Sequence, residues 1–197
     1  MRAKMHWLPP ILALALVFGL VWTAGQADGY SLISRWGGNS VSFQTGSITL
    51  SSSPFPASTP SLVTSASVLW SQSSTGVPFS INDYNCCYGP TRMYVDGGNF
   101  GSLGYPDVPG VNQLGFLSSG YLQFSHLYLN STWSWNTSCY LNQGAKQVDV
   151  MTIVLHEMGH SVALNHDPSH TEAVMWPNYA CKQTLRTDDV NGIDALY

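Results

Sequence analysis

The stretch His156-Glu157-Met158-Gly159-His160 puts two imidazoles and a carboxylate within five residues. On a helix, residues four apart share a face, so His156 and His160 can grip one metal ion between them. A catalytic Zn²⁺ takes about three protein ligands and keeps one position for water. The third ligand must then come from beyond the helix, and His166, six residues past His160, is the candidate. Glu157 is turned about 100° from His156 around the helix, toward the water rather than the ion. Such a set hydrolyses peptide bonds: the ion polarises the carbonyl and lowers the pKa of water toward about 7, while Glu157 moves the proton to the leaving amine. Taken alone, the pentapeptide also fits an ordinary surface helix with solvated histidines and Glu157 in an i,i+4 pair. The rest of the chain separates the two readings.

A helix carrying this motif is expected from Asp149, a capping residue, through Val150, Ile153, Val154, Leu155 and Met158. Strands are expected at Val41 to Gln44, Val77 to Ile81, Arg92 to Val95 and Tyr121 to Leu129. In the last of these, Leu122, Phe124, His126 and Tyr128 alternate with Tyr121, Gln123, Ser125, Leu127 and Leu129, and His126 reads as structural. Thr59 can cap a second helix, with Pro60 in its first turn and Leu62, Val63, Ala66, Leu69 and Trp70 on one face. Thr187 or Asp188 can cap a final helix through Val190, Ile193 and Leu196. Between Asp96 and Gly120, Gly and Pro recur as in a long ordered loop with one edge strand. Asp96, Asn99 and Asp107 could offer oxygens to Ca²⁺, but their spacing follows no calcium-loop pattern and turn chemistry explains them.

At 197 residues, with 44% hydrophobic and 12% aromatic residues, the chain is long and apolar enough for one core. Only 9% of residues are charged and the net charge is −4, which excludes the basic stripe that nucleic acid demands. Residues 1–27 read as a signal peptide: Arg2 and Lys4, the apolar run Ile11 to Trp22, then Gly25-Gln26-Ala27. That run falls short of the ~20 residues that span a bilayer, so residues 28–197 are expected as one secreted domain without a stable membrane anchor. In an oxidising compartment the four cysteines, Cys86, Cys87, Cys139 and Cys181, are expected as two disulfides. Three pairings are open; Cys139 with Cys181 is favoured because the two flank the motif helix and the loop behind it. Asn130-Ser131-Thr132 and Asn136-Thr137-Ser138 are glycosylation sequons in a host that reads them.

Three segments carry a family resemblance. His156 to His166 fits the long zinc motif, except that Ala163 stands where the family has glycine. Ala173-Val174-Met175-Trp176-Pro177-Asn178-Tyr179 resembles a Met-turn followed by a pocket wall, and Leu185 to Tyr197 resembles a closing helix. The chain thus resembles the matrixins among the metzincin zinc proteases. This implies an α+β, zincin-like fold: a mixed, twisted five-stranded sheet with a backing helix, an active-site helix and a C-terminal helix. It also implies that Met175 floors the zinc, that Pro177 and Tyr179 wall the pocket for the residue after the cut, and that Asp188 and Asp189 brace the last helix. Ala163 must either adopt a left-handed conformation, at about 1 to 2 kcal/mol, or pass the turn to Asn165. In the second case Asp167 or His170 competes with His166 as ligand. Only His126 precedes the motif as a candidate for the family's structural zinc, so one ion is expected, and no cysteine precedes the first strand to block it.

The expected function is secreted zinc-dependent endopeptidase activity on protein or peptide substrates, by a monomer, with Glu157 as catalytic base. A peptidase with Glu172 as third ligand is disfavoured by the Met-turn. The other alternative, a secreted zinc-binding or adhesion module without catalysis, leaves Glu157 without a task, since a structural site closes its fourth position.

Overall fold

The computed structural model describes residues 32–36, 41–45, 50–73, 79–81, 92–99, 105 and 107–197. Residues 1–27, expected as a signal peptide, and Cys86 and Cys87 lie outside them. The strands are β1 (Val41–Thr45), β2 (Phe79–Ile81), β3 (Arg92–Gly98), β4 (Gly110–Phe116), β5 (Leu122–Asn130), β6 (Ser134–Asn136) and β7 (Gln147–Asp149). The helices are α1 (Thr59–Gln72), α2 (Val150–Ser161) and α3 (Thr187–Asp194).

Five strands form one sheet in the order β2-β1-β3-β5-β4. The first four run parallel, and β4 closes the edge antiparallel to β5. The mixed α+β fold expected from the sequence is therefore present. β4 is the edge strand foreseen inside the glycine-rich segment. β6 and β7 make a small parallel ribbon that leads directly into α2. Both α1 and α2 are apolar toward the sheet, and Trp70 of α1 donates its indole N–H to the Leu155 carbonyl of α2 at 2.9 Å. With Met93, Val95, Leu127, Leu129, Ile153 and Leu155 these residues form a single buried core.

Some expectations are corrected. Thr59 is the first residue of α1 rather than its cap; Ser58 holds that position, and its side chain makes no capping bond. Arg186 precedes α3, and the carboxylate of Asp189 accepts its backbone N–H at 2.8 Å, so neither Thr187 nor Asp188 caps that helix. The alternation in β5 also slips. Gly115 pairs with Phe124 but Phe116 pairs with Leu122, an irregularity that turns Leu122 inward with Ser125, Leu127 and Leu129 and leaves Phe124 exposed. A bulge adds one residue to one strand, which shifts its period-two pattern by a face.

His126 sits 3.0 Å from the Asp96 carboxylate and stacks on Tyr128. Asp107 pairs with Lys146 at 3.1 Å. Both carboxylates thus face basic side chains. The first sequon is committed to the fold: Asn130 is fully buried and its amide donates to the Val108 carbonyl at 2.9 Å. Cys139 and Cys181 form a disulfide, the pairing favoured from the sequence.

Candidate metal centre

Asp149 starts α2 as expected. Its Oδ1 accepts from the Thr152 N–H at 2.8 Å and the Thr152 hydroxyl at 2.9 Å, satisfying a donor that the first helical turn leaves free. Packing against α1, the sheet and the loops beyond it buries Val150 through Gly159. On the sheet side, the Asn112 amide of β4 donates to the Glu157 carbonyl at 2.7 Å and to Ser161 Oγ at 2.6 Å, and Ser125 of β5 donates to Asn112 Oδ1 at 2.7 Å. This network fixes the height of α2 beneath the edge strand. A Cβ on Gly110, the first residue of β4, would stand 2.8 Å from Glu157 Cγ, so glycine is what lets the edge strand reach the motif.

The three histidines converge. His166 Nε2 lies 3.1 Å from His156 Nε2 and 3.2 Å from His160 Nε2. His156 Nδ1 is 2.7 Å from the Val174 carbonyl, and His160 Nδ1 is 2.9 Å from the Leu164 carbonyl. A carbonyl only accepts, so both Nδ1 atoms carry the proton and both Nε2 atoms present lone pairs to the same point. Burial holds His156 well below its ordinary pKa and His160 at about 4, and His166 is lowered by the same cause. Three neutral imidazoles with aligned lone pairs and backbone carbonyls behind two of them fit a tetrahedral zinc site with one open position.

Burial raises Glu157 to about 7, against the opposing pull of the Tyr179 hydroxyl, which donates to Oε1 at 3.3 Å. Tyr179 is itself held well above its ordinary value, first by burial and then by Glu157. This contact is absent from the sequence reading, which gave Tyr179 only a place in the pocket wall. Pro177 is exposed. Beside His156 is a shallow surface depression lined by Thr152, Val174, Asn178, Tyr179, Ala180 and Lys182 as well. Lys182 follows the disulfide, donates to the Ala173 carbonyl and lies 4.8 Å over the Trp176 ring.

Met175 is buried, and its carbonyl accepts the Asp167 N–H at 2.9 Å. The turn around it hangs from Asp189, whose carboxylate accepts the N–H groups of Val174 at 3.0 Å and Met175 at 3.2 Å. Asp167, His170 and Asp188 form their own cluster: His170 Nδ1 lies 2.9 Å from Asp167 Oδ2 and 3.5 Å from Asp188 Oδ1. The two rival third ligands are therefore engaged with each other. Ala163 takes the turn out of α2 with φ 75°, and Asn165 is not left-handed. The Ala163 N–H bonds the His160 carbonyl and the Leu164 N–H bonds the Gly159 carbonyl, both at 2.9 Å, which is the Schellman ending with alanine in the glycine position.

Sheet, buried helix and convergent histidines together define a metal-dependent hydrolytic fold. Residues 94–197 match the Matrixin peptidase family, and the chain belongs to that family. Matrixins are zinc metalloendopeptidases. The match begins in β3 and runs through α3.

Proposed function

We propose that this chain is a secreted zinc-dependent endopeptidase in which His156, His160 and His166 hold the ion and Glu157 is the general base. The observation that carries the reading is the approach of the three Nε2 atoms to within 3.2 Å of one another or less along the two contacts made by His166, with two of the opposite ring nitrogens tied to carbonyls. When bound, the ion supplies a Lewis acid that polarises the scissile carbonyl and makes water nucleophilic near neutral pH.

The chain's own residues do the rest. Glu157 takes a proton from the attacking water and delivers it to the departing nitrogen, and a carboxyl held at about 7 is suited to both transfers. Tyr179 fixes Oε1 so that the other oxygen is the one presented to water. The edge strand β4, which starts against Glu157, offers backbone groups to an extended peptide, and Pro177 and Tyr179 wall the pocket for the residue after the cut. The export-type start and the disulfide support secretion of residues 28–197. Among the described residues no helix is long and apolar enough to cross a membrane.

Cleavage of casein by the wild-type chain, a chelated sample and Glu157→Gln, with zinc determined on each, tests this. Loss of cutting in the last two, with zinc retained by Glu157→Gln, is expected. A zinc-loaded wild type that cuts no protein substrate would instead favour the binding-module reading.

A further inference from the structure

A helix leaves its last carbonyls without intrahelical partners, and at the end of α2 those of Met158, Gly159 and His160 accept the N–H groups of Val162, Leu164 and Ala163. The next four carbonyls, from Ser161 through the exit to Leu164, each have a specific donor. Trp36 Nε1 donates to Ser161 at 2.9 Å, the Tyr197 hydroxyl to Val162 at 3.4 Å, the Ile33 N–H to Ala163 at 2.8 Å, and His160 Nδ1 to Leu164 at 2.9 Å. Three of these donors belong to segments far from α2 in sequence. They are also joined to one another: the Trp36 N–H reaches the Tyr197 oxygen at 3.4 Å, and Leu32 pairs with Leu164 as an antiparallel bridge. Trp36 is 4% exposed, so its indole bond is made away from competing water.

The residue at the centre of this arrangement is Ala163, fully buried and left-handed, where a side chain is disfavoured and glycine is the usual solution. Everything between Ala163 and His166 depends on that turn being held. We propose that the 32–36 segment, through Trp36 and the Ile33 main chain, together with Tyr197, acts as a positioning clamp that keeps the left-handed exit of α2 in place and so sets His166 against His156 and His160. Trp36 and Tyr197 touch neither substrate nor ion; they act through the backbone. The inference rests on the three-histidine reading of the site, but it adds that a chain with alanine at this turn needs an external clamp that a glycine would make dispensable.

The test is zinc affinity by chelator competition on the full chain, with circular dichroism as the measure of folding. Trp36→Phe keeps an aromatic ring and removes the indole donor; Tyr197→Phe is the milder second variant. Each is expected to weaken zinc binding, Trp36→Phe on the order of tenfold, since one buried hydrogen bond is at stake. Ala163→Gly, placed in the Trp36→Phe background, is expected to restore most of that loss, because glycine holds the turn unaided. If Trp36→Phe and Tyr197→Phe lower the melting temperature yet bind zinc as the wild type does, or if Ala163→Gly restores nothing, the clamp is only a structural contact and the inference falls. A wild type that binds no zinc overturns the metal site itself, and is told apart by that single measurement.

Discussion

The sulfur of Met175 occupies the space that a side chain on Gly159 would need: a Cβ there would stand 2.0 Å from Sδ, with Met175 Cε at 3.0 Å and Trp70 Cζ2 at 3.1 Å. The glycine inside the motif helix is thus the condition for the packing of Met175 against α2. Gly159→Ala gains up to about 1 kcal/mol of helix propensity, but overpacking a filled core costs about 1 to 3 kcal/mol. Met175 is 2% exposed in the same core as Trp70, which leaves its sulfur little room to yield, so the second effect wins. A net loss of up to about 2 kcal/mol is expected, lowering the melting temperature by several degrees. Thermal melts with and without zinc check this, and a variant more stable than the wild type would show that Met175 can move.

Asp189 gives one carboxylate to three backbone N–H groups, those of Val174, Met175 and Arg186. Asp189→Ala leaves all three without that acceptor in a buried place. Hydrogen bonds to charged groups contribute about 1.5 to 3 kcal/mol each and are not additive, so a total loss of about 3 to 5 kcal/mol is expected in urea unfolding. Asp189→Asn, which keeps one oxygen acceptor, is expected to lose less. Equal losses for the two variants would contradict the account.

The Tyr179 hydroxyl is the only polar part of that side chain, so Tyr179→Phe isolates its bond to Glu157. Zinc content is expected to stay unchanged while kcat/KM falls about tenfold, the scale of one charge-assisted hydrogen bond. Equal kcat/KM for variant and wild type would mean the hydroxyl does not position the base.

Asp188 is raised from 3.8 to about 6, first by burial and then by the charge of Asp167. A carboxyl raised on folding binds its proton more tightly in the native state, so its stabilising effect is present below the unfolded value and disappears as pH rises through the folded one. Asp167 is shifted the opposite way, so its effect falls below its ordinary value of 3.8 and leaves the higher window to Asp188. The wild type is therefore expected to lose stability between about pH 4 and pH 6 relative to Asp188→Asn. Melting temperatures of both across that range, plotted as a difference, check the sign; a difference that stays flat removes Asp188 as the source.

What was legible in the sequence is what depends on neighbours along the chain. Asp149 caps α2 because its reach is three residues, and the spacing of His156 and His160 is itself the helix geometry. The phase of β5 was misread because the irregularity at Gly115 and Phe116 belongs to the pairing with β4, which no pattern in β5 alone encodes. The same holds for Tyr179, which meets Glu157 across 22 residues. The sequence leaves Asn165 as an alternative to Ala163 for the turn, because the contact that holds the Ala163 carbonyl comes from Ile33, more than a hundred positions earlier.

The link between Cys139 and Cys181 has one more consequence. Pro177 and Asn178 form an exposed stretch, and a peptidase in solution meets other copies of itself. A nick between these residues would separate Met175 from α3 in covalent sequence, yet the downstream piece would stay attached through Cys181 and continue to hold Val174 and Met175 through Asp189. Such a two-chain form would run as one species without reductant and as two with it.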